Sequence, residues 1–141
     1  MTQGPVLLGD AADGLLTMPL SHLVVVACGG AIGAVLRAMA GVLLRGRMPG
    51  LLPPTIVVNV AGSLLIGLAV PLLAKSSGGS RAFVVTGLLG AFTTFSTYSL
   101  ETVELIQQRQ YGGAAVYAIG SLVAGLFAVA IGLWIGTRLT R

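Results

Sequence analysis

Charge is what this sequence lacks most. Only 9% of its 141 residues are Asp, Glu, Lys or Arg, against about a quarter in an ordinary soluble domain. A soluble fold of this size could not cover itself with polar surface, which excludes that class. Acids are the scarcer sign, 4 in all, against 7 Arg and 1 Lys. The basic residues are scattered at segment ends, which suits lipid head groups and gives no basic patch for nucleic acid. Cysteine and histidine occur once each. Cys28 can form no intrachain disulfide and reads as a small packing residue. His22, at the start of an apolar stretch, has no second His, Cys or acid at metal-ligand spacing. No Gly-rich phosphate loop and no nucleophile–base pairing is present, so no enzyme is expected. Residues 1–19 lack a basic n-region and carry Asp10 and Asp13 before any apolar run. They read as a flexible leader to a membrane domain over 20–141, and not as a secretory signal.

What remains is apolar: 55% hydrophobic residues and a mean hydropathy of +0.97. A bilayer core about 30 Å thick takes roughly 20 helical residues, and four stretches meet that length. They are 23–44, 54–74, 82–108 and 113–137, the second opening on Pro53 and Pro54, where a missing N–H costs nothing. The expected class is therefore an all-α integral membrane protein of four transmembrane helices. Short connections (Arg45–Pro53, Lys75–Arg81, Arg109–Gly112) make neighbouring spans antiparallel and put both termini on one side. That side holds Lys75, Arg81, Arg138 and Arg141; the other holds Arg45, Arg47 and Arg109, joined by Arg37 if it snorkels. So even a distribution sets no orientation. It fits either a chain of weak but single orientation or one that inserts both ways and pairs as an antiparallel, dual-topology homodimer, with its two-fold axis in the membrane plane.

Polar residues recur along single helical faces. The second span places Thr55, Asn59 and Ser63 at i, i+4 and i+8, with Gly62 beside them. One buried Asn can simply join helices; a stripe of three exceeds what joining requires. In the first span Gly29, Gly33, Arg37 and Gly41 share that spacing, the glycines suiting close helix approach. Arg37 lies about 10 Å from the helix end at Leu44, where its charge can snorkel or stand at the mouth of an aqueous pocket. The fourth span adds Tyr117 and Ser121, with Gly125 one step on. Glu101 and Glu104, at i and i+3, read as the third helix emerging into water.

The third span contains GLLGAFTTFSTYSLE. Gly87 and Gly90 weaken a helix, and the hydroxyls of Thr93, Thr94, Ser96 and Thr97 can satisfy backbone groups that a break would free. The third helix is therefore expected to break between Gly87 and Thr97. Carbonyls exposed there suit a hard cation such as sodium. Phe92 and Phe95, at i and i+3, would share a face beside the break. Their ring edges carry partial positive charge and can solvate an anion weakly.

That run, with VNVAGSLLIG in the second span and CGGAIGAVLR in the first, resembles the Fluc (CrcB-like) family of fluoride channels, from Leu20 onward and in the family's order. The resemblance implies a dual-topology homodimer in the cell membrane with two antiparallel fluoride pathways. It also implies a central sodium ion that is structural and not transported. By motif, Asn59 matches a pore-facing Asn, Phe92 and Phe95 the paired rings, and Arg37 the vestibule Arg. Gly87 and Gly90 match the carbonyls that hold sodium, two from each subunit. Thr94, Tyr117 and Ser121 match a polar track, which Gly125 leaves short of a further hydroxyl. Thr55 and Ser63 complete the expected fluoride pathway. The lack of an acid along it fits an anion, and passive exit of cytoplasmic fluoride would reduce its toxicity. A small multidrug-type exporter would need an acid deep in the first span, where this chain has Arg37. A non-transporting assembly subunit would leave the Asn59 stripe unexplained.

Overall fold

The computed structural model describes residues 19–45 and 53–141. Most of the expected leader, and Arg47 in the first connection, lie outside the described residues. Every regular element among the described residues is helical, in the order α1 (Leu20–Arg45), α2 (Pro54–Leu72), α3 (Gly78–Arg81), a π-helical segment (Ala82–Leu89), α4 (Gly90–Phe92), α5 (Phe95–Gln107) and α6 (Tyr111–Leu139). Four helical stretches are long and apolar enough to cross a membrane, the third running from Gly78 to Gln107. The four-span, all-helical class read from the sequence is thus observed. Boundaries shift modestly. The third stretch begins four residues before the expected Ala82, because Ser77 caps its first turn by accepting the Ser80 N–H at 3.3 Å.

Glycine sets the helix contacts. A Cβ on Gly67 would strike the Val129 carbonyl of α6, and one on Gly132 would strike the Leu64 carbonyl of α2. The α2 and α6 backbones therefore lie almost in contact, the close approach that small residues permit. On the other flank Gly29 and Gly33 of α1 face the carbonyls of Phe83 and Leu88. Gly87 answers them from the π segment, where a Cβ would sit 2.6 Å from the Val26 oxygen. The packing role expected for Gly29 and Gly33 is therefore met. Gly41 differs: nothing lies within 4 Å of its position, and it lines a cleft instead.

The third stretch breaks inside the expected window. Thr93 (φ −82°, ψ 156°) and Thr94 (φ −149°, ψ 120°) are extended, with helix before and after them. Several polar groups at the gap find partners nearby. Thr93 Oγ1 donates to the Leu89 carbonyl at 3.1 Å, and the Thr97 N–H donates to Thr94 Oγ1 at 3.2 Å, capping α5. The Thr94 hydroxyl thus replaces a bond that a continuous helix would make, and the Thr93 hydroxyl adds a second donor to a carbonyl that keeps its own.

Candidate functional site

Asn59 of α2 holds the break from across the bundle. Its Nδ2 donates to the Thr94 carbonyl at 3.0 Å, and its Oδ1 accepts the Thr94 N–H at 2.8 Å. The amide acts as a detached peptide unit, pairing with both backbone groups of the extended residue. A primary amide has two N–H donors, so one is left over. The helix interior could offer no such partner; only α2 packed at this level can, which ties the shape of the break to the α2 stripe.

Three consequences follow for the sites expected from sequence. First, Phe92 and Phe95 do not share a helical face, because two extended residues separate them. Phe92 ends α4 against α2, its Cδ1 lying 3.2 Å from where a Cβ on Gly62 would be. Phe95 opens α5 and is 80% exposed in the single chain. Second, Phe95 belongs to a different aromatic group. Its ring centroid lies 5.4 Å from that of Tyr98, which lies 5.6 Å from Tyr117, both pairs tilted by about 40°. Third, the Gly90 carbonyl loses its usual helical partner, since the Thr94 N–H goes to Asn59. The Thr93 carbonyl loses its own when the Thr97 N–H goes to Thr94 Oγ1. Gly87 is buried, and its carbonyl accepts the Gly90 N–H.

Glu101 is the largest departure from the expected site. It does not mark the helix emerging into water. It is half-buried, with Oε1 accepting from Thr55 Oγ1 at 2.8 Å and Oε2 accepting from the Tyr117 hydroxyl at 2.6 Å. Two O–H donors from separate helices make a buried carboxylate tolerable at this depth. Glu104, one turn on, is exposed as expected. The expectation of a pathway free of acids is therefore corrected: Glu101 joins two of the residues assigned to it. Tyr98 was also missed. Its hydroxyl donates to the Ala118 carbonyl at 3.0 Å, seating its ring between Phe95 and Tyr117.

A cleft of about 390 Å³ opens beside this network, lined among others by Arg37, Arg45, Thr55, Thr94, Thr97 and Glu101. Arg37 and Arg45 stand two turns apart on one face of α1, and no ion pair is found among the described residues. Two arginines outnumber the single carboxylate of Glu101 in the lining, which leaves the cleft wall positive. Such a wall attracts anions. Deeper in the bundle, Ser121 of α6 is buried and its Oγ has no hydrogen-bond partner. Ser63 is half-buried on the facing side of α2. The structure therefore places Arg37, Thr55 and Thr94 in the lining of one cleft, with Asn59 bonded to Thr94 and Tyr117 to Glu101. Phe92 is outside that group.

The family model described as CrcB-like protein, Camphor Resistance (CrcB), matches residues 24–133. Curated relatives named fluoride-specific ion channel match over most of their length. One from Agrobacterium fabrum is 44% identical over 122 residues, covering 84% of this chain and 98% of the relative. One from Thermus thermophilus is 42% identical, covering 85% and 98%. A third, from Novosphingobium aromaticivorans, is 49% identical, covering 77% and 90%. The four apolar spans, the broken third helix and these matches agree, and the chain belongs to the CrcB-like family of membrane proteins.

Proposed function

We propose that this chain forms a fluoride channel of the cell membrane, through which cytoplasmic fluoride leaves down its gradient. The observation that carries this reading is the cleft in which Arg37 and Arg45, outnumbering Glu101, share a lining with Thr94 at the helix break. Fluoride is small and strongly hydrated, and stripping an isolated charge in a low-dielectric medium costs on the order of tens of kcal/mol. It needs replacement donors in succession, each too weak to trap it. Arg37 draws the ion to the mouth. The spare Nδ2–H of Asn59 and the unpartnered hydroxyl of Ser121 supply donors beyond it. Glu101 takes the single O–H donors of Thr55 and Tyr117, so these two side chains shape the wall and do not donate to the ion.

For the ring edges, the pair that the packing favours is Phe95 with Tyr98. Phe92 is held against α2 and acts in packing. Phe95 is largely uncovered in the single chain, as a ring would be that completes its site against a second subunit. The even spread of basic residues supports an antiparallel dimer with a pathway on each side.

A structural sodium ion at the dimer centre fits the break. Gly90 and Thr93 are the residues whose carbonyls would hold it, since both have lost their usual helical donors. Gly87 fits less well, its carbonyl already accepting the Gly90 N–H. Such an ion would supply fixed charge that joins two carbonyl-lined breaks across the dimer axis. These chains need no nucleotide or proton coupling for passive exit, and their other partner is membrane lipid.

Complementation tests this reading. Extra Lys residues on the terminal side alone should trap one orientation and abolish rescue of fluoride-sensitive cells. Co-expression with a copy biased the opposite way should restore it. Rescue by a singly biased copy alone would remove the antiparallel dimer, and failure of the unmodified chain to rescue would remove the fluoride function.

A further inference from the structure

Tyr117, Ser121 and Gly125 follow one another at four-residue spacing on α6 and so lie along one face. The first two are buried, at 1% and 8% exposure. Tyr117 has Glu101 as its partner, whereas the Ser121 Oγ has none. A hydroxyl in a helix can satisfy itself on the carbonyl one turn back, as Ser99 and Thr102 both do. Ser121 does not, and a buried polar atom left open in this way calls for a ligand or a water.

One turn further the polar face meets Gly125, and packing gives no reason for a glycine there. At Gly67, Gly132 and Gly136 an added Cβ would run into backbone or a proline ring. At Gly125 it would meet one atom within 4 Å outside its own helix backbone, the Ser63 Oγ of α2 at 3.5 Å, an ordinary contact distance. Among the described residues no glycine has a positive φ, so the backbone does not require one either. Helix propensity disfavours it. What the missing side chain does is leave the Ser63 hydroxyl uncovered beside the Tyr117–Ser121 face.

We infer that the lane of hydroxyl donors crosses helices here, from Ser121 on α6 to Ser63 on α2 through the gap at Gly125. Ser63 then serves as the anion contact at the level where α6 has no side chain to offer. This rests on the pathway reading above. A hydroxyl offers one rotatable donor. Seated across a 3.5 Å contact, the Ser63 donor serves nearly the same point in space that a side chain at Gly125 would serve.

The experiment is a hydroxyl transfer, read as fluoride efflux from liposomes per mole of folded protein by size-exclusion chromatography. Ser63→Ala should lower flux about tenfold, the loss of one hydrogen bond to a charged species falling on the barrier. Adding Gly125→Ser to that variant should restore at least half of the lost flux, because the hydroxyl returns from the opposite helix. A merely structural Ser63 predicts no such rescue. Ser63→Thr, which keeps the hydroxyl, should conduct. Ser63→Cys keeps a similar volume with a weak S–H donor and should conduct poorly, which carries the test if Ser63→Ala fails to fold. Unchanged flux in Ser63→Ala or Ser63→Cys, or no rescue by Gly125→Ser, overturns the inference. Ser121→Ala, measured alongside, separates the two levels. If it loses flux while Ser63→Ala does not, only the crossing is wrong; if neither loses flux, the pathway reading has failed as well.

Discussion

Replacing Asn59 by Asp changes one NH₂ group into an oxygen and acts at two places. Within the protein, Oδ1 still accepts the Thr94 N–H, but the second carboxylate oxygen now faces the Thr94 carbonyl that Nδ2 bonded at 3.0 Å. Leaving that buried carbonyl opposite another acceptor costs about 1–3 kcal/mol. Along the pathway, a negative charge replaces the spare amide donor. At an effective dielectric near 20, like charges 4 Å apart repel by about 4 kcal/mol. If the whole penalty falls on the barrier, flux drops by roughly three decades. Asn59→Ala separates the effects, since it loses both bonds to Thr94 without adding charge. It should therefore lose stability at least as far as Asn59→Asp but conduct better per folded molecule. The assay is fluoride efflux from liposomes beside thermal unfolding in detergent. Flux of Asn59→Asp within twofold of the unmodified protein, normalised to folded material, would refute the pore-facing role.

Other perturbations separate packing from passage. Phe95→Ile keeps bulk and removes an exposed ring edge, so flux should fall at least tenfold while the unfolding temperature holds; Phe92→Ile, against α2, should show the reverse in the same pair of assays. Glu101→Leu strands the hydroxyls of Thr55 and Tyr117, and each loss should cost about 1–3 kcal/mol, visible as a lower unfolding temperature. Gly132→Ala forces a methyl against the α2 backbone and should cost about 1–3 kcal/mol. Gly41→Ala, with open space around it, should leave thermal stability unchanged.

Span number, helix class and the position of the break were legible because each rests on local chemistry. Length and hydropathy define a span, and glycines followed by hydroxyls define a weak point in one. The detail of the break was not legible. Thr93 and Thr94 are extended because Asn59, thirty-five residues earlier, pairs with Thr94, and helical spacing fails across such a point. For that reason Phe92 and Phe95 looked like a facing pair when Phe95 packs with Tyr98. Glu101 was misread for a related reason. Its spacing from Glu104 suggests an exposed end, while the two donors that bury it come from α2 and α6. A signal is present in the sequence: Thr55 and Tyr117 are polar residues inside apolar spans, and buried hydroxyls need acceptors.

The central claim is that a chain with this cleft passes fluoride and refuses larger, less strongly hydrated anions. Purified protein in liposomes loaded with equal potassium fluoride and potassium chloride, with a potassium ionophore to carry the counterion, tests it directly. Ion-selective electrodes should record rapid fluoride release with chloride retained, and the release should collapse in Asn59→Asp. Equal release of both anions, or no fluoride release from folded protein, would contradict the account.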